Sequence, residues 1–134
     1  KKVVAAIHAG WRGLAEEIIQ NTLDVMFKQY GCNLDDLEFA FGPCIGEINY
    51  EVGPELIARF REAYGVRFSW HQKPGEKARF DLVGTARMIL EDIGFYHRNL
   101  SEVGLCTFER ADLFHSHRRA PGEGGQFNFI GLKS

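Results

Sequence analysis

The stretch Ile-His-Ala-Gly-Trp-Arg-Gly, from Ile7 to Gly13, puts a histidine, a tryptophan and an arginine within five positions and surrounds them with glycines. An imidazole such as that of His8 can ligate a metal or take a proton near neutral pH. The guanidinium of Arg12 can fork onto a phosphate or carboxylate. The competing reading makes His8 a hydrogen-bonded, half-buried residue and Trp11 a plug at a sheet edge.

Two more clusters carry reactive side chains. Phe41 to Gly46 reads Phe-Gly-Pro-Cys-Ile-Gly and sets the Cys44 thiol between glycines at the end of an apolar run. A nucleophilic or metal-binding cysteine needs an electropositive neighbourhood, and none adjoins Cys44 in sequence. Taken alone it reads as a small turn residue. Phe114 to Arg119 reads Phe-His-Ser-His-Arg-Arg. On an extended chain His115 and His117 share a face, as in the His-x-His pairs that bind copper or zinc, while Arg118 and Arg119 point to opposite faces. The alternative is a solvated basic strand edge.

These clusters need elements to position them. Residues 2–7 form a β-branched and alanine run that suits a buried strand, ended by Gly10 and Gly13. Leu14, Ile18, Leu23, Met26, Phe27 and Tyr30 follow a helical period that Gly31 closes. Residues 37–41 predict a second strand, stopped by Gly42-Pro43. Pro54 opens a helix whose apolar face is Leu56, Ile57, Phe60 and Tyr64. A strand over 66–70 and a solvated loop over 71–77 follow. Asp81 then caps a helix with face Leu82, Val83, Ala86, Ile89, Leu90 and Ile93, closed by Gly94. Strands near 103–107 and 127–132 flank a helical turn at 111–114 and a flexible loop at 121–125. The fold class expected is α+β, a mixed sheet packed with helices in one domain over 1–134, with the chemistry in strand-end loops.

Composition narrows the function. Of 134 residues 45% are hydrophobic and 25% charged, enough apolar material for one core. A formal charge of −2 and a pI near 6.2 give no global field for nucleic acid or an anionic membrane, so local arginines must hold any anion. Apolar runs fall far short of the roughly 18 residues of a membrane span, and no signal-peptide pattern is present, so the expected compartment is cytoplasmic. Cys32, Cys44 and Cys106 lie far apart with no Cys-x-x-Cys pair and are expected as reduced thiols. The opening on Lys1-Lys2, without an initiator methionine, leads us to expect a piece of something longer.

The segments AAIHAGWRGL, GPCIG followed by YEVG, FDL at a helix start, and CT followed by SHRR and a glycine-rich turn resemble, in that order, the laccase-domain family. It is also called the multicopper polyphenol oxidoreductase family and includes the bacterial peptidoglycan-editing factor. The resemblance implies an α/β sandwich and a zinc-dependent purine nucleoside phosphorylase with adenosine deaminase activity. Its partners would be adenosine, inosine or methylthioadenosine and phosphate. It makes His8 a zinc ligand, Arg12, Arg118 and Arg119 active-site residues, and Trp11, His117, Gly42 and Cys44 substrate-side residues. The family's zinc site is completed by a histidine and a cysteine upstream of HAGWRG, in a part of the family domain that this chain lacks. Two rival readings are a copper-dependent polyphenol oxidase and a non-catalytic truncated module. Blue copper needs two histidines and a cysteine in trigonal array, and the five histidines here are scattered.

Overall fold

The computed structural model describes residues 1–96 and 99–133. Helix α1 (Trp11–Ala15) and helix α2 (Ile18–Tyr30) replace the single helix expected after Leu14. The break has a local cause. Tyr64 donates its hydroxyl to the Leu14 carbonyl at 2.6 Å, and that carbonyl also accepts the Glu17 amide at 3.2 Å. Continuing the helix would require Leu14 to receive the Ile18 amide instead. Glu17 takes the left-handed conformation at φ 60°, and α2 begins anew, burying Ile19, Leu23 and Met26 at helical spacing. Gly31, at φ 62°, lets the Cys32 amide reach back to the Met26 carbonyl at 3.1 Å and closes α2.

Strand β1 (Phe39–Phe41) pairs in parallel with β5 (Leu100–Glu102), in the register Phe39 to Leu100 and Phe41 to Glu102. The final ladder therefore lies earlier than the 103–107 expected. The chain returns to β1's extension at one bridge, Cys44 to Cys106, where the Thr107 amide donates to the Cys44 carbonyl at 2.9 Å. Between these strands lies an antiparallel sheet, in the order β2 (Glu51–Val52), β4 (Ala78–Phe80), β3 (Trp70–His71). The strand expected over 66–70 shrinks to β3, and Val66 is 86% exposed. β2 and β4 are too short to announce themselves by alternation.

Helix α3 (Pro54–Tyr64) begins on its proline and buries Leu56, Ile57 and Phe60. Helix α4 (Leu82–Asp92) is capped as expected, the Asp81 carboxylate accepting the Gly84 amide at 2.8 Å. Phe60, Phe80, Leu14, Ile89 and Leu90 are fully buried and tie α1, α3, α4 and β4 into one core. Phe60 and Phe80 stand 4.6 Å apart between ring centroids, tilted, an arrangement that aromatic quadrupoles favour. Helices with parallel and antiparallel sheets make this an α+β fold.

The strands expected over 2–7 and 127–132 are not formed. A strand holds its backbone polar groups only within a ladder, and among the described residues no strand pairs with either segment. Phe127 and Phe129 are almost fully exposed in consequence. No helix among the described residues is long and apolar enough to cross a membrane.

Candidate functional site

The glycines of HAGWRG are dictated by close approach. The His8 ring folds over Gly10, where an added Cβ would sit 3.3 Å from Nε2. At Gly13 a Cβ would stand 3.3 Å from both the His8 carbonyl oxygen and Ile18 Cγ2, in the corner where α1 meets α2. Gly10 also supplies the carbonyl that starts α1, accepting the Leu14 amide at 3.0 Å. The loop thus presents its polar side chains on a tight, fixed turn. Trp11 packs against the core, and the exposed Arg12 guanidinium lies 5.1 Å from the Trp11 ring centroid. Among the described residues no carboxylate pairs with Arg12.

The two arginines of SHRR have different surroundings. Arg119 donates to the carbonyls of Thr107, Phe108 and Phe114 at 2.9, 2.6 and 2.6 Å, so its guanidinium ties one turn together. Arg118 donates to the Glu51 carbonyl at 2.9 Å and lies over the Tyr50 ring at 5.2 Å. It lines a groove of about 570 Å³ with Ile57, Arg61, Trp70 and Lys77, where Arg61 in turn lies over Trp70 at 5.2 Å. Tyr50 is buried and meets Phe80 edge-on. Burial pushes the Tyr50 hydroxyl's pKa up, while the positive fields of Arg118 and Arg12 act to lower it.

His115 and His117 do not form an extended pair. The chain turns at Ser116, whose carbonyl accepts the Arg119 and Ala120 amides, leaving His115 half-buried and His117 exposed. His115 Nε2 is buried with no hydrogen-bond partner among the described residues. Gly42 and Cys44 fall elsewhere, in a cavity of about 170 Å³ shared with Asp81, Glu102 and Cys106. Neither cavity includes His8.

A zinc site needs three protein ligands, and a blue-copper site two histidines and a cysteine. Among the described residues no group of three or more histidine, cysteine, aspartate or glutamate side chains converges. His8 is a single ligand on an exposed loop, so these residues do not by themselves fit either metal, and no chemical step is assigned to one. Tyr50, under Arg118, and Trp70 and Arg61, in the groove beside it, are neighbours that the sequence did not mark as candidates. Their signal was the YEVG match for Tyr50, and an aromatic among basic residues for the other two.

The helices, the mixed sheets and the glycine-built HAGWRG turn define an α+β chain. The family model described as multi-copper polyphenol oxidoreductase laccase matches residues 1–133, and the chain belongs to that family. It is similar to the protein named purine nucleoside phosphorylase YlmD of Bacillus subtilis (strain 168), 31% identical over 135 residues that cover 99% of this chain and 49% of the relative. It is also similar to purine nucleoside phosphorylase LACC1 of Homo sapiens, 28% identical over 99% of this chain and 32% of the relative. The crystal structure of YlmD from Geobacillus stearothermophilus matches with a TM-score of 0.77 at 28% identity, over 88% of this chain and 44% of that one. The chain spans half or less of the length of these relatives.

Proposed function

We propose that this chain contributes the anion-binding face of a purine nucleoside phosphorylase, with Arg12 and Arg118 holding phosphate. The observation that carries the reading is that each guanidinium lies over an aromatic ring, Arg12 over Trp11 and Arg118 over Tyr50, with neither arginine paired to a carboxylate among the described residues. The names of the relatives supply the reaction class.

In phosphorolysis a phosphate oxygen attacks the ribose C1′ while the bond from C1′ to the purine nitrogen breaks. Positive charge develops on the sugar and negative charge on the departing base. Guanidinium groups suit this step because they fix the phosphate bidentately and balance its charge without giving up a proton. The Trp11 ring under Arg12 and the Tyr50 ring under Arg118 limit the rotamers of both, which lowers the entropy lost on binding. Trp70, half-buried in the groove beside Arg118, offers a flat apolar wall to a purine. His117, next to Arg118, remains a substrate-side residue in this reading, while Gly42 and Cys44 line the separate cavity and leave that role. Adenosine deamination would instead require a water activated at a metal, with His8 as one ligand and further ligands from outside the described residues.

The test uses the full-length protein that carries this sequence, incubated with adenosine or inosine while free base and ribose 1-phosphate are followed. Base release that requires phosphate and yields the sugar phosphate in equal amount supports the proposal. Release at the same rate without phosphate would overturn it.

A further inference from the structure

Cys44 and Cys106 lie 62 positions apart, yet they are bridge partners where the chains leaving β1 and β5 run parallel, and both line the same cavity. Bridge partners on neighbouring strands lie about 4.8 Å apart with side chains on the same face, and a disulfide spans Cα separations of about 4.4–6.8 Å. These two residues sit in loop, beyond the last regular pairs of the ladder, where small adjustments are cheap. Neither thiol is sealed, since both are half-buried at the cavity wall.

The two sulfurs have unlike surroundings. The Gly46 amide donates to Cys106 Sγ at 3.2 Å, and Asn49 Nδ2 approaches it at 3.6 Å while also donating to Glu109 Oε1 at 2.7 Å. Cys44 lines the cavity together with Asp81 and Glu102, and its sulfur has no such donors among the described residues.

We propose that Cys106 is a peroxide-reactive nucleophile and Cys44 its resolving thiol, so that the cavity is an oxidation site closing to an intramolecular disulfide. Cys106 thiolate attacks one oxygen of hydrogen peroxide, the O–O bond breaks, and hydroxide leaves to take up a proton as water, giving a sulfenic acid. Cys44 sulfur then attacks Cys106 sulfur, the S–O bond breaks, and the Cys44 proton departs with the hydroxyl as a second water. Two thiols are oxidised and one peroxide is reduced.

The electrostatics agree with this division of roles. Burial raises the Cys106 pKa, but hydrogen bonds from the amides of Gly46, Glu109 and Phe108 and from Asn49 outweigh it, and the net direction is down. Cys44 is pushed up to about 11, by burial first and then by the neighbouring Cys106, Glu102 and Asp81. The cross-link would join the two loops beside the turn that Arg119 ties together.

Peptide mapping of the full-length protein tests the proposal. Under limiting iodoacetamide, Cys106 should be alkylated before Cys44 and before the buried Cys32. Hydrogen peroxide should lower the mass by two hydrogens and yield a linked Cys44–Cys106 peptide. Cys44→Ser should trap a Cys106 sulfenic acid that dimedone captures, and Asn49→Ala, which leaves both thiols in place, should slow Cys106 alkylation. Preferential alkylation of Cys44 or Cys32, or peroxide treatment that leaves both thiols free or links Cys106 only to another molecule, would overturn it.

Discussion

The guanidinium of Arg118 lies 5.2 Å from the centre of the Tyr50 ring and donates to the carbonyl of the next residue, Glu51, at 2.9 Å. Two constraints on one flexible side chain fix where its charge stands. Lysine would keep the charge and lose the planar stacking. Arg118→Lys in the full-length protein should raise the phosphate KM by about fivefold, corresponding to about 1 kcal/mol of lost stacking and positioning. Steady-state kinetics with varied phosphate checks this, with kcat at saturating phosphate expected to change less.

Arg119 is predicted to behave differently. Its hydrogen bonds to three carbonyls hold residues 107–114 to the SHRR turn, so Arg119→Ala should destabilise the fold by about 2–3 kcal/mol. Urea unfolding should show a lower midpoint with an unchanged slope. Arg119→Lys should recover little of the loss, because an ammonium cannot span the same carbonyls.

Gly84 sits in the first turn of α4, where alanine would ordinarily gain up to about 1 kcal/mol of helix propensity. An added Cβ would collide with the capping Asp81 carboxylate and stand 3.0 Å from Ser69 Cβ. Gly84→Ala should therefore lower the thermal midpoint, and Asp81→Ala should cost about 1 kcal/mol through the lost cap. The pair should be non-additive, since removing the carboxylate removes most of the clash.

Alkaline stability gives an independent handle on Cys44. Its folded pKa of about 11 exceeds the ordinary 9.0, so the unfolded chain releases this proton first. The contribution is intact below pH 9 and is lost as pH rises from 9 towards 11. Allowing for its partial exposure, Cys44→Ser should remove about 1–2 kcal/mol of that alkaline loss. Chemical denaturation of both proteins across this range measures the difference.

How far the sequence foretold the structure depended on the range of the forces involved. Helices α3 and α4 were legible because proline, aspartate and an apolar stripe act within one or two turns. The break between α1 and α2 was not, because the Tyr64 hydroxyl that takes the Leu14 carbonyl lies 50 residues away. β-rich composition at 2–7 and 127–132 promised strands, but a strand also needs a neighbour. At the candidate site, Arg12 and Arg118 could be picked from their motifs. The seating of Arg118 over Tyr50, and the meeting of Cys44 with Cys106, arise only from tertiary pairing.

The most direct measurement is the phosphate dependence of nucleoside cleavage by the full-length protein and its Arg12→Lys variant, with nucleoside held saturating. If Arg12 grips phosphate through its planar fork, the variant should show a phosphate KM raised by about tenfold, equivalent to about 1.4 kcal/mol, with the products unchanged. An identical phosphate KM in a well-folded variant would contradict the assignment of this face to phosphate.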